Sequence, residues 1–435
     1  MTQTPWRVLG GPLGTHTSAR SSGPGAWAQL VVLLAAIPVL AALALRGWCL
    51  TQGFEGSDPL WRACYSDLPS ALVAIQGGGA PAGPIVAAVV QRVLALPFNG
   101  SGLAAQTGYV LAWGLLSLVL VGLIAVAVLA FRARRPDRAL LVVLSPVLVT
   151  TLLISSDIVG VALAVLGLVA WRRGAAGWAG ALLVLATFAR GSALILLVVV
   201  VVVAWREGWD RSALRRLVLG AGLGAAGVLG LGALFGIAAL TDPLRDWWHA
   251  GASYGSVWLL PHLVGYPLLP GVVPFVQLLG WLVAIGLVVY LAIRSWRRLG
   301  LAELAVVGMA AVLMTGVAVP VQASLWLVPL VALSAIAWRD KLIWAAIEVA
   351  YYPMVWLYIG QLEPDTKGLP APWYALFLIL RLLAMGWLIW CAIDARPPAP
   401  RRAGPPGRGV SGGTGAVSPG WAEAPRPRTA YPGAG

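Results

Sequence analysis

Apolar runs recur along this chain from residue 27 to residue 393, and that recurrence limits the possible folds more than any motif does. A backbone placed in lipid must pair its own N–H and C=O groups, and an α-helix does so within one segment. The runs fall at 27–45, 107–131, 139–155, 157–171, 177–189, 191–205, 216–240, 272–293, 302–319, 322–337, 342–359 and 373–393. They predict an all-α, polytopic transmembrane bundle of about 12 helices. Only 11% of the 435 residues are charged, so little of the sequence is left for a water-soluble domain. The first run exceeds the about 7 to 15 apolar residues of a cleavable signal peptide, so it reads as a retained first helix entering from the cytoplasm. Residues 1–26 and 396–435 read as disordered cytoplasmic tails. The second of these is rich in Pro, Gly and Arg and has too little apolar surface to fold. Residues 27–395 form one membrane domain.

A net charge of +14 would suit a nucleic-acid-binding protein if it were gathered on one face. Here it is dispersed in alternate loops, which argues against a nucleic-acid partner and for a membrane orientation. Of 30 basic residues, 23 lie in the two tails and in the connections 132–138, 171–174, 206–216, 294–298 and 338–341. Lys and Arg near helix ends are retained on the cytoplasmic side, so both termini and these connections are expected there. The opposite side receives long loops at 48–106, 241–271 and 360–372 and tight turns at 155–157 and 320–324. Eight of 16 acidic residues fall on that side: Glu55, Asp58, Asp67, Asp157, Asp242, Asp246, Glu363 and Asp365. The crossings within 139–205 are short for a bilayer, and a re-entrant pair there is an alternative. Segment 80–97 has two early prolines and an apolar run broken by Gln91 and Arg92, and reads as a helix lying at the interface.

Most motif matches dissolve in this context. Gly222, Gly224 and Gly227 fit G-x-G-x-x-G, but inside an apolar helix with no preceding strand. Close helix packing through Gly220, Gly224, Gly232 and Gly236 is the better meaning. No Walker A pattern, H-E-x-x-H or D-x-D is present. His16 is in a tail, and His249 and His262 are single loop histidines. Asn99-Gly-Ser101 fits a glycosylation sequon, a cheap match. Cys49 and Cys64 share one external loop, where an oxidising compartment permits a disulfide; two buried free thiols are the alternative.

The polar cluster "RACYSDLPSAL" (62–72) lies in that loop, and Asp157 and Arg190 are expected on the same side. An ionisable group at membrane depth is costly unless it lines a cavity or is paired, so Arg190 needs a partner such as Asp157 or a lipid phosphate. Glu348 and Arg381 lie within apolar runs and are expected to pair with each other.

The stretch from Cys49 through "RACYSDLP" resembles the external-loop signature C…CYSD of actinobacterial membrane glycosyltransferases of family 87. Residues 152–197, with a turn containing an Asp, a short helix and a basic loop, are similar to a second part of that family. Residues 322–360 and 367–384 resemble its C-terminal end. The similarity is discontinuous and spans about 49–395. It implies a GT-C-like fold and transfer of a sugar, such as mannose, from a polyprenyl-phosphate carrier to a glycan or glycolipid acceptor outside the cytoplasmic membrane. By that resemblance Asp67 is the general base, Asp157 a second acid that orients the acceptor or assists the base, and Arg190 a donor to the leaving phosphate. Arg62, Tyr65 and Gln322 are the remaining substrate-binding candidates. No resident cofactor is implied, and external acids could hold a divalent cation or act without one. The chain departs from the family pattern at "RGSA" (190–193), where relatives carry "KLYP", and at "AVPVQAS" (318–324), where they carry a "KVYSPQY"-like stretch. Those departures suit a noncatalytic member assisting an envelope-biogenesis complex. A lipid or solute transporter is a third reading, and it predicts an internal repeat.

Overall fold

The computed structural model describes residues 24–79, 83–131, 135–208, 210–235, 238–249, 251–294, 299–363 and 368–395. Both expected tails, the basic residues 132–134 and 295–298, Gly236, His16, Asp365 and Lys367 fall outside them, except for the last residues of the first tail. Among the described residues the protein is all-helical, without a strand. Six helices are long and apolar enough to cross a membrane: Gly25–Leu45, Leu103–Phe131, Arg211–Phe235, Pro270–Arg294, Trp338–Gln361 and Ala371–Asp394.

Between them stand shorter apolar helices, and the two sets differ in burial. Residues Ala302 to Leu313 of the helix Leu301–Thr315 are all buried, as is every residue of Leu327–Leu333. By contrast, only 28% of the apolar window of Gly25–Leu45, of Arg211–Phe235 and of Pro270–Arg294 is buried. These three long helices therefore turn outward apolar side chains that need lipid, and these two short ones lie in the interior. A helix enclosed by protein need not match the hydrocarbon thickness, because its end groups meet other segments. Thus Leu301–Thr315 packs against Val273–Arg294, Leu194–Arg206 and Ala371–Asp394, while Asp157–Arg172 packs against Leu103–Phe131 and Ala176–Thr187.

Several expected runs are broken, each for a local reason. Run 139–155 becomes the helices Asp137–Val143 and Pro146–Thr151 followed by an irregular turn. Pro146 has no N–H, and it holds Ser145 extended at ψ 121°. Run 302–319 ends as a helix at Thr315, and the chain resumes at Val321 as a 3₁₀ turn before Leu327–Leu333. Gly316 and Pro320, both extended, bracket that break. Segment 80–97 holds the 11-residue helix Ile85–Ala95, too short to cross a bilayer. The expected loop 241–271 shares most of its first residues with a helix, Ala238–His249.

The glycines of the G-x-G-x-x-G match lie in Arg211–Phe235 and divide by face. A Cβ on Gly220 would collide with the Gly177 carbonyl, and one on Gly224 would stand 2.9 Å from the Ala181 carbonyl. Gly180 meets the Leu217 backbone in the same way, so this helix and Ala176–Thr187 touch backbone to backbone. Gly232 instead faces the Leu240 side chain, and Gly222 and Gly227 have open space around them. Gly220→Val is expected to lower stability by about 3 kcal/mol through overpacking. Gly222→Ala is expected to leave it unchanged or raise it by up to about 1 kcal/mol from helix propensity. Thermal unfolding of the two variants in detergent, side by side, checks the contrast.

Candidate functional site

Two Ser-Asp pairs, Ser66-Asp67 and Ser156-Asp157, build the site, and the chain enters both in the same way. Ala63 and Leu153 are the non-glycine residues with left-handed backbone among the described residues, at φ 50° and 62°. Each lies four residues before its acid. Such a conformation costs an L-residue roughly 1–2 kcal/mol and persists where surrounding contacts hold it. Here both carbonyls are held: the Tyr352 hydroxyl donates to Ala63 O, and the Ser66 hydroxyl donates to Leu153 O at 2.6 Å. Each acid then stands where a helix begins, Asp67 before Leu68–Gln76 and Asp157 at the start of Asp157–Arg172. The positive end of a helix favours a carboxylate there.

The two loops are joined through main chain as well as side chain. The Asp67 N–H donates to Ile154 O at 2.7 Å, so the loop that carries Asp67 lies along the turn that precedes Asp157. Behind it, Cys49 and Cys64 are disulfide-bonded with Cα atoms 6.0 Å apart, and both are fully buried. Arg46, also fully buried, donates to Ala42 O at 3.0 Å and to Thr150 O at 3.4 Å, linking the first helix to the segment before the turn.

Arg190 completes the cluster. Its Nη1 lies 2.5 Å from Asp157 Oδ2, and Ser155 Oγ donates to the same oxygen at 3.1 Å. Asp157 is buried, while Arg190 keeps about a fifth of its side chain accessible. The Tyr65 hydroxyl lies near enough to the Asp67 carboxylate to favour its ionised form, and the Tyr65 ring lies 4.7 Å from that of Trp356. Burial pushes the Asp67 carboxyl above the ordinary carboxylate range; the Tyr65 hydroxyl opposes that, Asp157 adds to it, and Arg190 opposes it. The Tyr65 phenol is raised too, first by burial and then by the neighbouring Asp67 charge, so it acts as a hydrogen-bond donor.

Asp67, Tyr65, Asp157 and Arg190 are therefore brought together from three separate segments. Gln322 is on the 3₁₀ turn Val321–Trp326, which packs against the Asp157 helix; a Cβ on Gly160 would stand 2.7 Å from the Trp326 ring. Arg62 is exposed and stacks over the Trp48 ring at 4.3 Å. His249 and His262 are exposed on other segments. No group of three or more His, Cys, Asp or Glu suited to a metal ion occurs among the described residues. Ser66, Ser156 and Arg46 escape attention in the sequence; the repeated Ser-Asp dipeptide was the available signal for the first two.

A second buried network stands apart from the acids. Arg381 Nε donates to Glu348 Oε2 at 3.0 Å, its Nη1 to Val319 O at 2.8 Å and its Nη2 to Ser324 Oγ at 2.9 Å. Tyr374, within hydrogen-bond distance of Tyr351, accepts from the Gly255 N–H at 2.9 Å. The network fastens segment 253–256 to the break at 316–320, where Ser253 N–H donates to Val317 O and Val319 N–H to Tyr254 O. Two apolar cavities lie elsewhere: about 630 Å³ between Gly25–Leu45 and Leu103–Phe131, and about 610 Å³ beside Ala371–Asp394.

No family model, curated protein or solved structure matches the chain.

Folding raises the proton affinity of Asp67, so its ionised form opposes folding from the ordinary carboxylate pKa upward, and the cost is complete above the raised value. Asp67→Asn is therefore expected to raise the thermal midpoint at neutral pH. That gain should shrink as pH falls toward the ordinary carboxylate range, and melting curves of both proteins across pH 4 to 8, a range set by about 3.9 for free Asp, check it.

Proposed function

We propose that this protein is an integral-membrane glycosyltransferase. It moves a sugar, mannose in the leading case, from a polyprenyl-phosphate carrier to a glycan or glycolipid acceptor on the outer side of the cytoplasmic membrane. The observation that carries the reading is the meeting of Asp67 and Asp157, from two separate segments, beside a partly accessible Arg190. In the reaction the acceptor hydroxyl oxygen bonds to the anomeric carbon as the bond from that carbon to the phosphate oxygen breaks. The electron pair leaves with the lipid phosphate, and the hydroxyl proton passes to Asp67. A carboxylate with raised proton affinity suits that base, and Tyr65 fixes its direction. Arg190 offers paired donors to the departing phosphate, and Asp157 holds the guanidinium in place.

A GT-C-like bundle of about 12 crossings with both termini cytoplasmic accommodates the long and short helices alike. Hydrogen bonds across the chain support that alternation. Arg138 donates to Ser334 O and Ile336 O, and Arg206 to Leu299 O, joining connections expected inside. The contacts between 66–67 and 153–154, and between 253 and 317, join turns expected outside.

A noncatalytic role in an envelope-biogenesis complex is the second reading, favoured by the ion pair that already occupies Arg190. Transfer from radiolabelled polyprenyl-phosphate mannose, in membranes holding matched amounts of protein, separates the two. Wild type is expected to transfer, with Asp67→Asn reduced by about 100-fold or more and Asp157→Asn by about 10-fold or more. Full activity in Asp67→Asn removes the base assignment, and a wild type inert with every prenyl-phosphate sugar supports the noncatalytic reading.

A further inference from the structure

The helix Ile85–Ala95 bridges the two halves of the ion pair. Near its end, Gln91 Nε2 donates to Ser156 Oγ at 3.2 Å, beside Asp157. At its start, the Val86 N–H donates to Phe188 O at 3.3 Å, two residues before Arg190. The Gln91 main chain is fixed as well, since the Tyr109 hydroxyl donates to its carbonyl at 3.1 Å. Gln91 is only 7% exposed, in a helix whose other buried side chains are apolar.

What this anchoring leaves over is a free amide oxygen. Gln91 Oε1 is out of solvent without a hydrogen-bond partner, and so is Ser192 Oγ, two residues after Arg190. Gln322 Oε1, on the turn that packs against the Asp157 helix, is in the same state. A buried polar atom of this kind calls for an explanation, because leaving it unmatched opposes folding. Three of them on segments that adjoin one ion pair point to a ligand that brings its own hydrogen-bonding groups.

We infer that Gln91 and Ser192 contact the ligand of the Asp67–Asp157–Arg190 site, and that they read hydroxyl groups on the sugar ring of the donor lipid. The inference rests on the proposed glycosyltransferase function and names the part of the substrate these side chains recognise. An ionised phosphate has only acceptor oxygens to offer Gln91 Oε1, so it is drawn to Arg190 and leaves the amide unmet. A ring hydroxyl donates to the amide oxygen. Turning the amide over leaves its nitrogen unmatched instead, a donor that a ring hydroxyl or a phosphate oxygen accepts, and the bare-phosphate probe below separates the two. Gln91 and Arg190 thereby divide the donor between them, sugar to one and phosphate to the other.

The test compares two probes on the full-length, detergent-purified protein: farnesyl phosphate and farnesyl-phosphate mannose, each titrated by thermal shift. Wild type is expected to bind the mannosylated probe about tenfold more tightly than the bare phosphate. Gln91→Met, close in volume and without an amide, is expected to lose most of that preference while binding farnesyl phosphate as wild type does. Ser192→Ala, a smaller change, is expected to reduce the preference about threefold, and it carries the test if Gln91→Met does not fold. A purely structural role would weaken both probes together, and that result, or an unchanged preference in both variants, overturns the assignment. Wild type that binds the bare phosphate but gains nothing from the sugar also overturns it. Wild type that binds neither probe removes the lipid-donor reading beneath it.

Discussion

The contact on which the candidate site depends is short: two hydrogen bonds from residues 66 and 67 to the carbonyls of residues 153 and 154. Each loop alone offers a solvated acid. Laid against one another, they set Asp67 near Asp157 and Arg190, so that each group alters the proton affinity of Asp67. The left-handed Leu153 turns its carbonyl to Ser66, and the left-handed Ala63 turns its carbonyl to Tyr352. The disulfide and Arg46 hold the far end of the same loop. The strain at two residues is thus maintained by a hydroxyl on each carbonyl, and the acids follow four residues later.

The rest of the fold supplies a container for that contact. Long helices with apolar outer faces stand beside Leu301–Thr315 and Leu327–Leu333, which are buried on nearly every side. The turns 152–156 and 316–320 lie against other segments, residues 66–67 and 253–256 respectively. Irregular backbone that is shut off from water is tolerated only where protein or a polar cavity satisfies it. Among the side chains that do so here are Ser66, Ser256 and Arg381.

Much of this was legible in the sequence because lipid imposes simple rules. Apolar length marked the six long helices, and isolated intramembrane charges announced their partners: Arg190 pairs with Asp157, and Arg381 with Glu348. Two cysteines on one loop are bonded. Less legible were the breaks at Ser145 and Thr315, since hydropathy does not register where a helix stops inside an apolar run. The amphipathic helix Ala238–His249 was read as loop because its mixed polarity resembles one. Gln91 looked like an interruption in an interfacial segment; its importance lies in a hydrogen bond to a residue far along the chain, which no local pattern encodes. Arg62 belongs to the right loop, but it stacks on Trp48, because neighbours in sequence at a turn need not share a face.

The pairing of Glu348 with Arg381 also has an electrical meaning. Both groups lie within helices long enough to cross a membrane, where a lone charge would be displaced by the transmembrane potential at about 2.3 kcal/mol per 100 mV. A carboxylate and a guanidinium in direct contact sum to zero, so the field does almost no work on them as a unit. The strap they hold between segment 253–256 and the break at 316–320 is therefore indifferent to voltage. An energised and a de-energised membrane leave that wall of the protein equally tightly fastened.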